Sequence, residues 1–241
     1  MQPYQDVFKR YEKKYLLEGP VYRALFEALR TEVRPDEYGE TTIYNLYCDT
    51  PDRRLIRASL EKPVYKEKLR LRCYGMPRPE ANAFLELKKK YKGVVYKRRV
   101  DMPLAQAEAY LNRKRCPPPP SQIQREIAWT LQYYPQLAPS MFLCYDRLAV
   151  CGLEDPNLRI TFDTHILWRQ ENPSLLAGLE GRQLLQPDQC LMEIKIPNAM
   201  PLWLSRLLDQ YRVYPTSFSK YGAAHLASLA VARRKEAAHC A

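Results

Sequence analysis

Short stretches of alternating apolar and polar residues recur along the chain. They predict β-strands, because successive side chains of a strand point to opposite faces. The predicted strands cover residues 8–16, 42–49, 65–74, 83–91, 94–101, 142–151, 157–165 and 190–196. Between them, helical spacing of apolar residues predicts helices over 21–33, 51–60, 104–114, 121–133, 200–211 and 222–234. Many strands with helices added outside favour an α+β fold built around an antiparallel sheet or barrel.

The polar faces of the predicted strands are mostly ionic. One face of the third strand carries Lys66, Lys68, Arg70 and Arg72. Other strands place on one face the pairs Glu12 and Lys14, Glu86 and Lys88, Arg159 and Asp163, and Glu193 and Lys195. In the fifth strand, Lys97 and Arg98 point opposite ways, so parity leaves open which of them lies on the cationic face.

A sheet with one solvated face would explain any single one of these strands. For the whole set, a second interpretation is a sheet curled into a barrel, with its apolar face outward under helices. The cations would then converge on a lumen and repel one another unless an anion filled it. A polyphosphate, with charge on every unit, is the natural counter-charge.

Composition supports an anionic partner. The 241 residues include 38 Lys and Arg against 27 Asp and Glu, a formal net charge of +11. Such a surplus suits nucleic acid, a membrane surface or a phosphorylated small molecule. Only eight glycines occur, and neither a P-loop nor a dinucleotide-binding glycine motif is present. Phosphate would therefore be bound chiefly by side-chain cations.

Several other classes are disfavoured. No apolar run approaches the roughly 18 residues that span a bilayer, and the polar N-terminus speaks against a secretory signal. Seven scattered cysteines without a C-x-x-C pair indicate reduced, cytoplasmic thiols, and three histidines are too few for a histidine-rich metal site. We expect a single domain over residues 1–241, with a proline-rich internal loop at 116–120 and a flexible tail from about 235 to 241.

Nine segments resemble, in family order, those of the VTC (vacuolar transporter chaperone) domain, the polyphosphate polymerase branch of the triphosphate tunnel metalloenzymes. They are R-Y-E-K-K-Y (10–15), Y-C-D-T (47–50), L-R-L-R-C-Y-G (69–75), L-E-L-K (85–88), V-V-Y-K-R-R (94–99), Y-D-R (145–147), L-R-I-T-F-D-T (158–164), M-E-I-K (192–195) and S-F-S-K-Y (217–221). Each is weak alone, but together they are specific and span nearly the whole chain.

The resemblance implies a tunnel of eight antiparallel strands with helices packed outside. Its interior would bind triphosphate and a divalent ion, Mn²⁺ or Mg²⁺. The phosphate- and nucleotide-binding residues that it implies are Lys14, Arg57, Arg70, Arg72, Lys88, Lys97, Arg147, Arg159, Lys195 and Lys220. It assigns the catalytic roles to Lys88, Arg147, Arg159, Lys195 and Glu193. Glu193 also matches the metal-binding glutamate, and Glu12 and Glu86 are its helpers.

One position separates the branches of this superfamily. The adenylate cyclase and thiamine-triphosphatase branch begins with an E-x-E-x-K strand, which places two glutamates beside the metal. Here the corresponding face carries Arg10, Glu12 and Lys14. An arginine in place of one glutamate shifts the site from metal toward phosphate, which favours the polymerase branch.

The last predicted helix begins close to one of these cations. Ser217 and Ser219 are N-cap candidates for it. A cation such as Lys220 opposes the dipole of a helix N-terminus, so its position favours an anion bound nearby.

The implied function is that of a phosphotransferase, which moves the γ-phosphoryl group of ATP onto a polyphosphate chain and releases ADP. One alternative is a triphosphatase or nucleotidyl cyclase on the same fold. Another is a non-catalytic protein that binds polyphosphate or RNA. Tyr11, Tyr15, Tyr65 and Tyr96 alternate against the basic faces, which predicts that they pack and disfavours RNA.

The expected partners are ATP and inorganic polyphosphate, without sequence-specific nucleic acid. Eukaryotic relatives of the domain work beside membrane channels. Because the sequence has no apolar span, any such coupling would need a separate membrane protein at the inner face of the membrane.

Overall fold

A computed structural model describes residues 11–61, 63–92, 94–113, 121–197 and 199–239. Its strands are β1 (Tyr11–Leu17), β2 (Val33–Asp49), β3 (Tyr65–Tyr74), β4 (Asn82–Tyr91), β5 (Val94–Pro103), β6 (Ala138–Gly152), β7 (Arg159–Arg169), β8 (Arg182–Gln183) and β9 (Cys190–Ile196). Its helices are α1 (Gly19–Leu29), α2 (Arg54–Leu60), α3 (Leu104–Arg113), α4 (Gln122–Tyr133), α5 (Leu202–Gln210) and α6 (Lys220–His239). Arg10 and the proline-rich segment 116–120 lie outside the described residues.

The predicted elements are confirmed, with differences in their bounds. β2 begins at Val33, well before the predicted start at residue 42. The prediction missed its first half because most of these residues are exposed and lack the apolar alternation of a half-buried strand. The two-residue β8 is exposed and has no such pattern either. α6 continues to His239, into the segment predicted as a flexible tail.

The strands pair in the order β1-β9-β7-β6-β2-β3-β4-β5, with β8 on β7. The described pairs β1–β9, β2–β3, β3–β4, β4–β5, β7–β8 and β7–β9 are antiparallel. Together with the six helices of the described ranges, this pairing confirms the α+β class. Within the described residues, the pairing runs as an open path from β1 to β5, so a closed barrel is not confirmed.

The chain divides into two compact units. Unit 1 comprises residues 1–42, 145–166 and 185–218. Its core lies between helices α1 and α5 and one face of the strands β1, β7 and β9. Leu25, Phe162 and Met192 are among its buried side chains. The apolar side chains of β9 alternate with Glu193 and Lys195, so the parity predicted from the sequence is confirmed here.

Unit 2 comprises residues 43–144, 167–184 and 219–241. Its core packs helices α3 and α4 against the apolar face of the strands β3 and β4. Leu69, Leu85 and Leu87 lie on that face and are fully buried. The single-domain organisation stays a prediction.

A buried carboxylate fixes the helix that follows β2. Asp49 is 2% exposed and accepts the backbone N–H groups of Leu55 and Ile56 at 2.9 and 3.0 Å. Its second oxygen also accepts the Tyr221 hydroxyl at 2.8 Å. Asp49 therefore satisfies the first turn of α2, which would otherwise bury unpaired donors, and holds the start of α6 to it.

The structure describes the state of five cysteines and the character of the helices. Cys48, Cys73, Cys144, Cys151 and Cys190 are free thiols in the structure. Within the described ranges, none of the helices combines the length and the apolar character that crossing a bilayer requires.

Replacing Asp49 tests this anchor. We expect Asp49→Ala to lower the free energy of unfolding by about 3 kcal/mol, because it removes the acceptor of three backbone donors, those of Thr50, Leu55 and Ile56, and of the Tyr221 hydroxyl. Tyr221→Phe removes only the hydroxyl, which donates to Asp49 at 2.8 Å and lies 3.5 Å from Ser140 Oγ, and should lower the free energy of unfolding by only about 1 kcal/mol. Urea unfolding measures both, and equal losses in the two variants would show that the helix does not depend on Asp49.

Candidate functional site

The register of unit 2 stacks cations across three strands. Lys68 on β3 lies opposite Lys88 on β4, which lies opposite Lys97 on β5. Like charges at directly opposed positions of a sheet are destabilising. This lysine row therefore favours the binding of an anion.

The next row is centred on a buried carboxylate. Glu86, 1% exposed, lies opposite Arg70 on one side and Arg99 on the other. Its oxygens accept from Arg70 Nε at 2.6 Å and from Arg99 Nε at 2.8 Å, and Lys97 Nζ is 2.8 Å away. Burial raises the pKa of Glu86, but Arg70, Arg72, Lys97 and Arg99 hold it well below its usual range. We call Glu86, the lysine row and Arg70, Arg72 and Arg99 the Glu86 cluster.

Neutral side chains fix the orientation of these guanidinium groups. Arg72 Nε donates to Asn45 Oδ1 at 2.9 Å, and Asn45 in turn donates to the carbonyl of Leu143 at 3.2 Å. The Tyr74 hydroxyl lies 3.4 Å from Arg72 Nη1 and 3.1 Å from Arg99 Nη2. The guanidinium groups are thus held in place without a ligand, which reduces the side-chain entropy that would be lost when a ligand binds.

The structure resolves the parity question in β5. Lys97 and Arg99 contact Glu86, whereas Arg98 donates to Glu126 of α4 at 3.1 Å on the opposite face. Arg99 was not among the predicted site residues, although its parity with Lys97 is a signal that could have identified it. Tyr47, Tyr74 and Asn45 were missed as well, because neutral side chains within an ionic face carry no distinctive pattern.

Unit 1 carries a second group of charges, which we call the Glu193 cluster. It consists of Glu12, Lys14, Arg147, Arg159, Glu193 and Lys195. Its rows run across β1, β9 and β7, with Lys195 opposite Glu12 on one side and Arg159 on the other. Lys14 lies opposite Glu193.

One ammonium group lies between two carboxylates of this cluster. Lys14 Nζ is 3.2 Å from Glu12 Oε1 and 3.7 Å from Glu193 Oε2, and it donates to the carbonyl of Phe218 at 3.1 Å. Glu193 Oε1 lies 3.0 Å from Lys195 Nζ. The two glutamates therefore direct oxygens to a place that already attracts a cation.

The two arginines of unit 1 are paired with aspartates. Arg147 makes a bidentate pair with buried Asp163, at 2.6 and 2.8 Å. Arg159 donates to Asp36, whose other oxygen accepts the backbone N–H of Gly39 at 3.1 Å. Gly39 has a φ of +53°, which a glycine adopts without strain. Asp36 was missed because it lies in the stretch of β2 that shows no alternation.

The two remaining predicted cations lie on helices of unit 2. Arg57 on α2 is exposed and pairs with Asp52 at 2.8 Å. Lys220 is the first residue of α6. Ser219 precedes it and accepts the backbone N–H of Gly222 at 3.2 Å, as expected of the predicted N-cap residue, and also accepts from Lys68 Nζ at 3.2 Å. The N-terminus of α6 thus lies beside the lysine row.

A divalent ion fits the Glu193 cluster better than the Glu86 cluster. Glu12 and Glu193 supply hard oxygen ligands at one place, and Mg²⁺ is commonly held by one or two carboxylates together with substrate phosphates. Glu86 is 1% exposed and is paired with three cations, Arg70, Lys97 and Arg99, and no second carboxylate contacts that group in the described residues. Within the described residues, no group of three or more His, Cys, Asp or Glu side chains could hold a metal ion.

Comparison with known proteins adds a family and a fold. The profile of the VTC domain family matches residues 9–229. A candidate adenylate cyclase from Bacillus halodurans superposes with a TM-score of 0.56 at 15% identity, covering 89% of this chain and 96% of its own. This likeness supports the fold alone.

Two further structures are similar over most of their length. A candidate adenylate cyclase from Vibrio parahaemolyticus has a TM-score of 0.48 at 14% identity, covering 91% of this chain and 98% of its own. A candidate adenylyl cyclase from Hippeastrum, described as having a dominant triphosphatase activity, has a TM-score of 0.49 at 16% identity, covering 90% and 95%. No curated protein matches the chain significantly.

Two tyrosines give the Glu86 cluster a testable pH dependence. Burial raises the pKa of Tyr74, but Arg72 and Arg99 lower it to about 8. Burial likewise raises the pKa of Tyr47, but Arg70, Lys68 and Arg72 lower it to about 8. Above that pH, phenolates would neutralise neighbouring cations, so the affinity for tripolyphosphate should fall several-fold as the pH rises from about 7 to about 9.

The matched control is the double variant Tyr47→Phe/Tyr74→Phe, in which this fall should be absent. Titration calorimetry gives the affinities, and the ultraviolet absorbance of phenolate reports the ionisation. The same pH profile in both proteins would contradict the assignment.

Proposed function

Because the chain belongs to the VTC domain family of the triphosphate tunnel metalloenzymes, we propose that it is an ATP-dependent polyphosphate polymerase. It transfers the γ-phosphoryl group of ATP to the end of a polyphosphate chain and releases ADP. The observation that carries this proposal is the lysine row of Lys68, Lys88 and Lys97 next to the row of Arg70, Glu86 and Arg99. These rows present closely spaced cations, which complement the closely spaced negative charges of a phosphate chain.

Phosphoryl transfer asks the protein for alignment and for neutralisation of charge on the phosphate oxygens. A terminal oxygen of the polyphosphate chain attacks the γ-phosphorus of ATP and forms a new P–O bond. The bond between that phosphorus and the β,γ-bridging oxygen breaks, and its electron pair leaves with ADP. Because the attacking phosphate is already ionised at neutral pH, the step needs no general base.

In the Glu86 cluster, the arginines hold phosphate oxygens in two-pronged contacts and the lysines supply point charges. Glu86 stays ionised and keeps Arg70, Arg99 and Lys97 close together without taking part in the reaction. The metal role that the family resemblance gives Glu86 is not carried into this proposal, since its oxygens are committed to these cations.

In the Glu193 cluster, Arg147, Arg159, Lys195 and Lys14 are the proposed phosphate ligands. Each is held by a carboxylate that neutralises it while no substrate is bound. Phosphate oxygens would replace some of these carboxylates as acceptors, so the cations remain compensated in both states. Glu12 and Glu193 would hold Mn²⁺ or Mg²⁺, which neutralises charge on the transferring phosphates when it is bound.

Arg57 and Lys220 are included as outer phosphate ligands, on the strength of the family resemblance. The closed tunnel of eight strands and the coupling to a separate membrane protein belong to the same proposal, as does the cytoplasmic location.

Two substitutions test the proposal in separate units. Lys88→Ala in unit 2 and Arg159→Ala in unit 1 should each lower polymer synthesis about 100-fold or more, because each removes a charge that stabilises the transition state. Product formed from ATP and Mn²⁺ is sized on a gel, and circular dichroism verifies the fold.

Lys13→Ala is the matched control, since Lys13 neighbours Lys14 on β1 but lies opposite apolar Ile194 in the register. Its synthesis should equal that of the unmodified protein. Normal synthesis in both Lys88→Ala and Arg159→Ala would overturn the assignment. Release of free phosphate without polymer would identify a triphosphatase instead.

A further inference from the structure

The outward stripe of α4 is aromatic and charged. Ile123, Ile127 and Leu131 form the stripe that packs on the core of unit 2. A second stripe at helical spacing consists of Gln122, Arg125, Glu126, Trp129 and Tyr133. The rings of Trp129 and Tyr133 stack at 5.1 Å, yet both side chains are more than half exposed. Large exposed rings on a stable helix indicate a surface that binds something.

Three more exposed rings lie on the neighbouring strands. Tyr65 on β3 is directly opposite Tyr91 on β4, and Lys89 on β4 is opposite Tyr96 on β5. The prediction that Tyr65 and Tyr96 pack was wrong, since both are more than 40% exposed, and so was the same prediction for Tyr11. It was correct for Tyr15. Parity gives Tyr65 and Tyr96 the same face as buried Leu69 and Leu87, but the core covers only one end of that face.

These side chains line two adjoining grooves. One, of about 470 Å³, is lined by Tyr65, Lys89, Tyr91, Tyr96, Arg98 and Glu126. The other, of about 380 Å³, is lined by Lys89, Gln122, Arg125, Glu126 and Trp129. Because Lys89 and Glu126 line both, the grooves form one continuous surface within unit 2, which we call the aromatic groove.

Cations are interleaved with the rings. Lys89 Nζ lies 5.6 Å from the centre of the Trp129 ring, and Lys92 Nζ lies 5.4 Å from that of Tyr91. Arg98 and Arg125 complete a set of four cations, against the carboxylates of Glu126 and Glu67. Glu67 is buried and accepts the hydroxyls of Tyr65 and Tyr134 at 3.0 and 2.7 Å. The groove therefore carries a net positive charge beside its rings.

Rings and cations in this arrangement suit bases and phosphates. Single-stranded nucleic acid is bound without sequence preference by stacking bases on aromatic side chains while cations contact the backbone. Sheet surfaces with exposed rings on neighbouring strands stack two or three bases in this way. A protein partner fits less well, since lysine is depleted in protein interfaces.

We propose that the aromatic groove binds single-stranded nucleic acid, with bases on Tyr91, Tyr96 and Trp129 and phosphates on Lys89 and Arg125. Lys89 and Lys88 are neighbours on β4 with opposite parity, so the groove and the lysine row lie on opposite faces of the strand. The groove is thus a second site, separate from the proposed polymerase chemistry.

The test uses the full chain and a fluorescent, mixed-sequence RNA oligonucleotide with a 5′-hydroxyl end, so that it offers no terminal phosphate chain to the cationic clusters. Trp129→Ala and Tyr96→Ala should each weaken binding by about 5- to 150-fold, the effect of losing one stacked base. Trp129→Phe should retain most of the affinity. Lys89→Ala should reduce the salt dependence by about one unit of slope, whereas the matched variant Lys88→Ala should leave it unchanged.

Single-stranded DNA of the same sequence shows whether the groove prefers RNA or DNA, and binding of either supports the site. Loss of RNA binding in Lys88→Ala but not in Lys89→Ala would place the ligand on the Glu86 cluster and overturn the proposal. Equal affinity for poly-glutamate would show that binding depends on negative charge alone and would also overturn the proposal. Absence of binding by the unmodified protein would overturn it as well.

Polymer synthesis by Trp129→Ala separates the two proposals. It should match that of the unmodified protein. A chain that binds RNA in the groove but makes no polymer would overturn the proposed function and leave this one intact.

Discussion

The site in unit 2 depends on one buried carboxylate surrounded by cations. Glu86 is nearly inaccessible to solvent, and a buried charge is tolerated only when it is paired and hydrogen-bonded. Arg70, Arg99 and Lys97 meet that requirement. The same contacts bring three cations closer together than they would stand by themselves. The contacts that compensate the charge of Glu86 are therefore the same contacts that concentrate positive charge at the site.

In the Glu193 cluster, the cations are compensated by several carboxylates. Arg147 pairs with Asp163 and Arg159 with Asp36. Glu193 lies between Lys195 and Lys14, and Lys14 also pairs with Glu12. Such ion pairs hold the cations at fixed positions without the single, almost fully buried carboxylate that organises the Glu86 cluster. A ligand rich in phosphate oxygens can exchange with these carboxylates at little electrostatic cost, because the cation keeps an anionic partner throughout.

Alternation predicted most of the strands and their faces, whereas the family resemblance rested on the nine sequence segments. It identified β3 and β9 with their bounds, because most of their apolar and ionic residues alternate. It failed for the first half of β2, where exposure on both faces removes the pattern and hides Asp36. It also could not tell which parts of an apolar face a helix covers, and so it assigned Tyr65 and Tyr96 to the core.

Contacts between side chains could not be predicted from the sequence for a different reason. The positions of Lys97 and Arg99 around Glu86 follow from the register between β4 and β5, which a single sequence does not specify. Asn45 and Tyr74 act on the arginines through hydrogen bonds that have no signature in composition or spacing.

The central claim is that these cations bind a phosphate chain and extend it. The most direct measurement incubates the purified protein with ATP and Mn²⁺, with and without a short polyphosphate primer, and compares the ADP formed with the phosphate found in polymer. We expect one ADP for each phosphate added, and a ladder that lengthens with time. ADP accompanied by an equal amount of free phosphate, with no ladder, would contradict the account.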